Sequence, residues 1–236
     1  VSFHVEYAPN SDGRDFVVGD LHGELEKFNA AIAAVDFDTS KDRCFSVGDL
    51  IDRGPDVPEV VKLVKEPWFH AVQGNHEQMM LGGPSWLWMA NGGEWSLNLP
   101  QDNLREVGRL IRDLPFAITL RHRSGATVGI CHAECPVEDW ADIDAVEDDP
   151  VARERMIWSR RKLSYRSEDL TRGVDITVHG HTQVAQVERL GNALYIETGA
   201  CFGGELTLLD LDDFFSDWAA GSGSATGDDR PAADSR

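Results

Sequence analysis

No apolar run in this chain approaches the ~18 residues that a membrane-spanning helix needs, so no membrane contact is expected. Cysteine is scarce: Cys44, Cys131, Cys135 and Cys201 offer no C-x-x-C pair for zinc and no spacing that suggests a disulfide framework. They read as reduced, mostly buried thiols. None is followed six positions later by arginine, which excludes cysteine-nucleophile phosphatase chemistry, and the lack of a Walker-type glycine loop excludes a P-loop kinase or NTPase. Positive charge is short as well, with 22 Lys and Arg against 41 Asp and Glu and a net −19. That balance argues against a phosphate-backbone footprint, and so against DNA or RNA as a partner. Val1 to Gly13 is polar and carries no signal-peptide hydrophobic segment, so the expected location is cytoplasmic.

What is present is one grammar repeated: apolar strand, polar turn, helix. Its centre is Gly48-Asp49-Leu50-Ile51-Asp52-Arg53-Gly54-Pro55, which leaves the strand Cys44 to Val47 and leads to a helix from about Pro58 to Lys65. Before it, strand Asp15 to Val18 ends in Gly19-Asp20-Leu21-His22-Gly23 and a helix over Glu24 to Val35. After it, strand Trp68 to Val72 ends in Gly74-Asn75-His76-Glu77 at another helix start. This alternation predicts an α/β protein with its site outside the carboxyl ends of the strands.

From Met79 to Arg112 the pattern turns helical, with Trp86, Trp88 and Trp95 around Asn91-Gly92-Gly93. This stretch reads as a small helical cap; its tryptophans form either an aromatic core of its own or the wall of a substrate groove. Strands follow over 116–122, 126–133, 175–178, 184–190, 193–197 and 205–211, with Gly191-Asn192 as a hairpin turn. Between the second and third lies a connection acidic from Glu138 to Asp149 and largely basic from Arg153 to Arg172. The acidic part reads as a solvated loop, or as a rim to the site because it follows His132 closely. Residues 1–215 read as one domain and 216–236, rich in Gly, Ser, Ala and Asp, as a disordered tail.

The polar residues at strand ends are Asp20, His22, Asp49, Asn75, His76, His132 in Cys131-His132-Ala133, and His181 in His179-Gly180-His181-Thr182. Asp, Asn and His without thiolate form a borderline-to-hard ligand set suited to Mn²⁺, Fe or Zn²⁺. Two ions need one bridging carboxylate, and Asp49 is the natural bridge. Asp52 is a carboxylate placed to orient a histidine, and Arg53 is a planar cation suited to phosphate.

These motifs resemble the metallophosphoesterase superfamily, and within it the PPP-type serine/threonine phosphatases of the bacterial and bacteriophage lambda branch. The residues that carry the resemblance are G-D-L-H-G at 19–23, G-D-L-I-D-R-G at 48–54, G-N-H-E at 74–77, C-H-A at 131–133, W-S-R at 158–160, G-H-T at 180–182 and E-T-G-A at 197–200. The resemblance implies a calcineurin-like fold, a two-layer β-sandwich flanked by helices, and two divalent ions, Mn²⁺ foremost. It puts Asp20, His22 and Asp49 on one ion, and Asp49, Asn75, His132 and His181 on the other. It makes His76 the general acid, oriented by Asp52, with Arg53 and Arg160 gripping the phosphate and Arg161 beside Arg160 as the alternative. Gln73 stands where the family usually has Arg.

The reaction so implied is hydrolysis of a phosphate monoester on a phosphorylated protein or peptide, by direct attack of a metal-bound water. One rival lies within the superfamily, a symmetrical dinucleoside polyphosphate hydrolase, which resembles this chain less at two positions: it has Ala at Asp52 and Asp at Glu77. Another is a noncatalytic metal-binding scaffold, which a lost ligand or a lost His76 would mark.

Overall fold

The computed structural model describes residues 2–222. The strands are β1 (His4–Tyr7), β2 (Asp15–Val18), β3 (Arg43–Ser46), β4 (Phe69–Ala71), β5 (Ala117–Arg121), β6 (Thr127–Cys131), β7 (Ile176–His179), β8 (Glu188–Leu190), β9 (Ala193–Tyr195) and β10 (Leu208–Asp210). They form a six-stranded sheet ordered β1-β5-β6-β7-β9-β8 and a four-stranded sheet ordered β10-β2-β3-β4. The helices are α1 (Leu25–Ala34), α2 (Val57–Lys62), α3 (Asn75–Leu81), α4 (Trp86–Ala90), α5 (Gln101–Arg112), α6 (Pro150–Trp158), α7 (Arg161–Tyr165) and α8 (Leu211–Ser222).

The two sheets face each other across an aliphatic core. Val17, Phe45, Val47 and Val72 come from the smaller sheet and its strand ends; Ile118, Leu120, Val128, Ile130, Ile176 and Val178 come from the larger one. The outer face of the smaller sheet, with Val18, Cys44, Phe69 and Ala71, packs on α1, α2 and α5 through Phe28, Val60, Val61, Leu110 and Ile111. The result is the expected two-layer sandwich flanked by helices. β2, β3 and β4 run parallel, as do β6 and β7, so every turn carrying a candidate ligand leaves a carboxyl end of a parallel strand.

Four expectations change. The segment His4–Tyr7, passed over as polar, is a strand parallel to β5. It is too short to show periodicity, and Phe3 anchors it by stacking on Phe116 at 5.2 Å. The segment 184–190 is strand only at Glu188–Leu190. The expected tail from 216 begins inside α8, whose Phe214, Phe215 and Trp218 pack against the inter-sheet core; residues 223–236 of that expectation lie outside the described residues. The acidic connection is not a bare loop either. Its 3₁₀ turns over Trp140–Asp148 bury Trp140, Ile143 and Val146 with Ala117 and Cys131 on the outer face of the larger sheet, and the Trp140 indole N–H donates to Thr119 Oγ1 (2.7 Å).

Candidate active site

Glu77 knits two of the motif turns together. Fully buried at the start of α3, it accepts Leu50 N–H (2.8 Å) and Ile51 N–H (3.3 Å) on Oε1, and Asp49 N–H (3.0 Å) and Gly74 N–H (2.8 Å) on Oε2. The last residue of G-N-H-E therefore shapes the backbone of G-D-L-I-D-R-G. Gly74 permits the approach, because a Cβ there would stand 2.1 Å from Asp49 Oδ1. Among the described residues, seven non-glycine residues have positive φ, and five of them are His22, Asp49, Asp52, Arg53 and His181. Such backbone costs about 1–3 kcal/mol per residue and persists only where the surroundings over-determine it. Its concentration here marks the functional centre.

Asp49 is that centre. Its Oδ2 lies 3.5 Å from His22 Nε2, 3.3 Å from His132 Nε2 and 3.9 Å from His76 Nε2. His22 Nδ1 donates to Ile51 O (2.7 Å) and His132 Nδ1 to Val47 O (2.8 Å), which turns both Nε2 atoms inward. Asn75 Oδ1 is 2.9 Å from both His132 Nε2 and His181 Nδ1. Two trios of donor atoms, each within 4.8 Å, share Asp49: one with His22 and His76, the other with His132 and His181. His76 is the third member of the first trio, and Asp20, which the sequence reading sets on the first ion, stands outside it. Asp20 is buried alongside, with its Oδ2 and Oδ1 accepting His181 N–H at 3.0 and 3.3 Å.

The electrostatics suit cations. Burial drives His22 and His181 each down to about 3, leaving the neutral imidazole that ligates metals. Burial would lift Asp49 as well, yet His132, His76 and His22 hold it well below the ordinary carboxylate range. Asp20 goes the other way, pushed well up by burial and then by Glu197. Burial, with Asp49 nearby, lifts Glu197 to about 7, and Glu197 Oε2 has no hydrogen-bond partner among the described residues. His132 answers in kind: against burial, Asp49 and then Asp20 lift it to about 10, so the carboxylates draw positive charge onto the ring that a bound cation would replace. This oxygen and nitrogen set fits divalent cations at the two trios that share Asp49.

Beside Asp49 sits a second device. His76 Nδ1 donates to Asp52 Oδ2 (2.6 Å), leaving Nε2 toward the cluster. Arg53 Nη2 lies 2.9 Å from His76 Nε2, and its guanidinium also meets His22 and packs 5.1 Å from the exposed ring of Phe202. Arg160 Nε donates to His181 Nε2 (3.3 Å). Its neighbour Arg161 instead lines a separate cavity of about 680 Å³, together with Glu134, Lys162 and His179; that cavity holds none of the ligand trios.

Four residues escaped the sequence reading. Trp88 and Trp95 have a role beyond packing on each other: their indole N–H groups donate to Asp52, Trp88 to both oxygens (3.0 Å each) and Trp95 to Oδ1 (2.7 Å). Trp86 is 80% exposed. Glu134 accepts Arg155 (2.6 Å), Ser159 Oγ (2.6 Å) and Lys162 N–H (3.1 Å), and so holds the segment that carries Arg160. Glu197 lies close enough to Asp20 to push its carboxyl up, as described. Gln73 serves elsewhere, its amide donating to Leu114 O (2.7 Å) and Arg112 O (3.4 Å) at and just past the end of α5.

Known proteins resemble this chain in sequence and in fold. The calcineurin-like phosphoesterase family matches residues 16–185. Serine/threonine-protein phosphatase 1 of Salmonella typhimurium is 36% identical over 203 residues, covering 83% of this chain and 91% of that protein. The symmetrical bis(5′-nucleosyl)-tetraphosphatase of Nitrosospira multiformis is 41% identical over only 68 residues, 28% of this chain and 25% of that protein. A solved structure provisionally named a diadenosine tetraphosphatase superposes with a TM-score of 0.64 at 23% identity, covering 88% of this chain and 93% of its own, a likeness of fold. A family match across most of the chain, and a site that gathers its motif residues around one carboxylate, lead to one conclusion: this chain belongs to the calcineurin-like phosphoesterases.

Proposed function

We propose that the protein is a phosphomonoesterase that removes phosphate from seryl and threonyl side chains of proteins, using two divalent ions, with Mn²⁺ the first choice. The observation that carries this reading is the Asp52–His76 couple beside the Asp49 cluster. A serine alkoxide is a poor leaving group and needs a proton as it departs. His76, with Nδ1 committed to Asp52, keeps Nε2 facing the cluster and can deliver one. The extended likeness to a relative named as a serine/threonine phosphatase supports the same reading.

Asp20, His22 and Asp49 would hold one ion, and Asp49, Asn75, His132 and His181 the other. Bound ions would supply Lewis acidity toward the phosphoryl oxygens and a nucleophilic water at neutral pH. Arg53 and Arg160 grip the remaining oxygens and offset the charge that grows on them. Asp52 fixes the ring of His76, and His76 protonates the departing oxygen.

The rival, hydrolysis of a dinucleoside polyphosphate, draws on the fold likeness to the diadenosine tetraphosphatase structure. A substrate panel separates the two. With phosphoserine, phosphothreonine and phosphotyrosine peptides set against diadenosine tetraphosphate, kcat/KM is expected to favour a phosphoserine or phosphothreonine peptide by tenfold or more. A preference for the dinucleotide overturns the proposal.

A further inference from the structure

Three N–H groups converge on one buried carboxylate. Asp52 Oδ2 accepts His76 Nδ1 (2.6 Å) and Trp88 Nε1 (3.0 Å), and Oδ1 accepts Trp95 Nε1 (2.7 Å) and Trp88 Nε1 (3.0 Å). Only one of the three donors belongs to a motif residue. The other two come from the helical cap, on α4 and on the 3₁₀ turns over Gly93–Asn98 that follow it.

The cap is built to hold those indoles in place. Ser85 Oγ accepts Trp88 N–H at the start of α4 (3.2 Å), which fixes where the helix begins. Trp88 is buried and meets Trp95 edge-on, with centroids 6.3 Å apart at 81°. Gly93 lies flat against the Trp88 indole, and a Cβ there would come within 2.8 Å of the ring nitrogen. The backbone of the same turn reaches the catalytic loop, because Arg53 N–H donates to Gly92 O (3.2 Å).

We infer that Trp88 and Trp95 are positioning residues for proton delivery: by fixing both oxygens of Asp52 they set the angle at which His76 presents Nε2 to the leaving group. A carboxylate held only by His76 could rotate about its Cβ–Cγ bond and take the imidazole with it. Anchored on both oxygens, it cannot. The cap therefore acts on the chemical step through Asp52 and touches no substrate. This inference rests on the reading of His76 as proton donor.

The test compares Trp88→Phe, Trp95→Phe and the double variant in the wild-type and His76→Asn backgrounds, on phenyl phosphate and 4-nitrophenyl phosphate. Phe keeps a ring and removes the N–H. General acid assistance is worth about 10²–10⁴-fold, and loosening the acid should cost part of it. The double variant should lose about tenfold or more in kcat on phenyl phosphate and less than threefold on 4-nitrophenyl phosphate, with KM and metal content unchanged. In the His76→Asn background the same substitutions should cost less than twofold. If a Phe variant fails to fold, 3-benzothienylalanine at position 88, with sulfur replacing the indole N–H, keeps the ring volume and should reproduce the leaving-group split. Equal losses on both substrates that persist in His76→Asn make the indoles structural and overturn the inference, as does an undiminished double variant. If His76→Asn itself loses equally on both substrates, the donor reading falls and takes this inference with it.

Discussion

His76 Nδ1 and Asp52 Oδ2 stand 2.6 Å apart, both fully buried, with His76 Nε2 turned toward Asp49. Under the proposed function this pair delivers the proton that a poor leaving group needs. His76→Asn should cost most of the ~10²–10⁴-fold of general acid assistance on phosphoserine peptides and far less on 4-nitrophenyl phosphate, at unchanged metal content. Asp52→Asn should give a weaker version of the same split. Loss of an ion in His76→Asn would make His76 a ligand, the role its place in the trio with His22 and Asp49 also permits.

Glu77 serves four backbone N–H groups of two catalytic turns. Glu77→Gln replaces one acceptor oxygen with a donor and strands at least one of those groups. An unsatisfied buried donor costs about 1–3 kcal/mol, so urea unfolding should report a loss of that size. Activity should fall with it, because Asp49 sits on one of the turns. Wild-type stability in this variant would show that the carboxylate is dispensable to the loop.

Arg160 bonds to His181, whereas Arg161 faces the separate cavity. A charge-assisted hydrogen bond contributes about 1.5–3 kcal/mol, equivalent to roughly 10–100-fold in affinity. Arg160→Ala should raise the inhibition constant for inorganic phosphate by that factor, and Arg161→Ala by less than twofold. The reverse ranking moves the phosphate contact one residue along.

Burial pushes the Glu134 carboxyl up, but Ser159, Arg155 and the Lys162 N–H hold it below its ordinary 4.5. A depressed folded pKa adds stability that is fully present above 4.5 and is lost as pH falls through the folded value. Wild-type stability should therefore drop on acidification below 4.5. The same limb should be shallower in Glu134→Gln, which has no proton to gain there. Urea midpoints at pH 7 and pH 3.5 measure this, and identical acid limbs in the two proteins would remove Glu134 from the account.

Local patterns carried most of this architecture. Asp20, His22, Asp49, Asn75, His76, His132 and His181 each end or follow an apolar strand, so strand-end reading alone brings them to one edge. What local patterns could not carry was long-range pairing. Nothing within a few residues of Trp88 or Trp95 points to Asp52, 36 and 43 positions earlier. The indole N–H needs a buried acceptor, and only the folded chain brings Asp52 to it. The single available signal was the Asn91-Gly92-Gly93 run between two tryptophans, which marks close backbone approach without naming a partner. Gln73 looked like a lost cation near the site; the fold instead uses its amide on carbonyls at and just past the end of α5. The last turns of α8 were hidden because residues 216–236 are rich in Gly, Ser, Ala and Asp, while the face made by Phe214, Phe215 and Trp218 depends on spacing.

The central claim is a catalytic centre of two divalent ions joined by Asp49, and metal stoichiometry measured together with turnover tests it most directly. Protein stripped with chelator should show no hydrolysis of a phosphoserine peptide. Titration with Mn²⁺ should restore activity as two ions per chain are bound, and Asp49→Asn should lose both ions and turnover together. Full turnover by the stripped protein, or two ions bound undiminished by Asp49→Asn, would contradict the account.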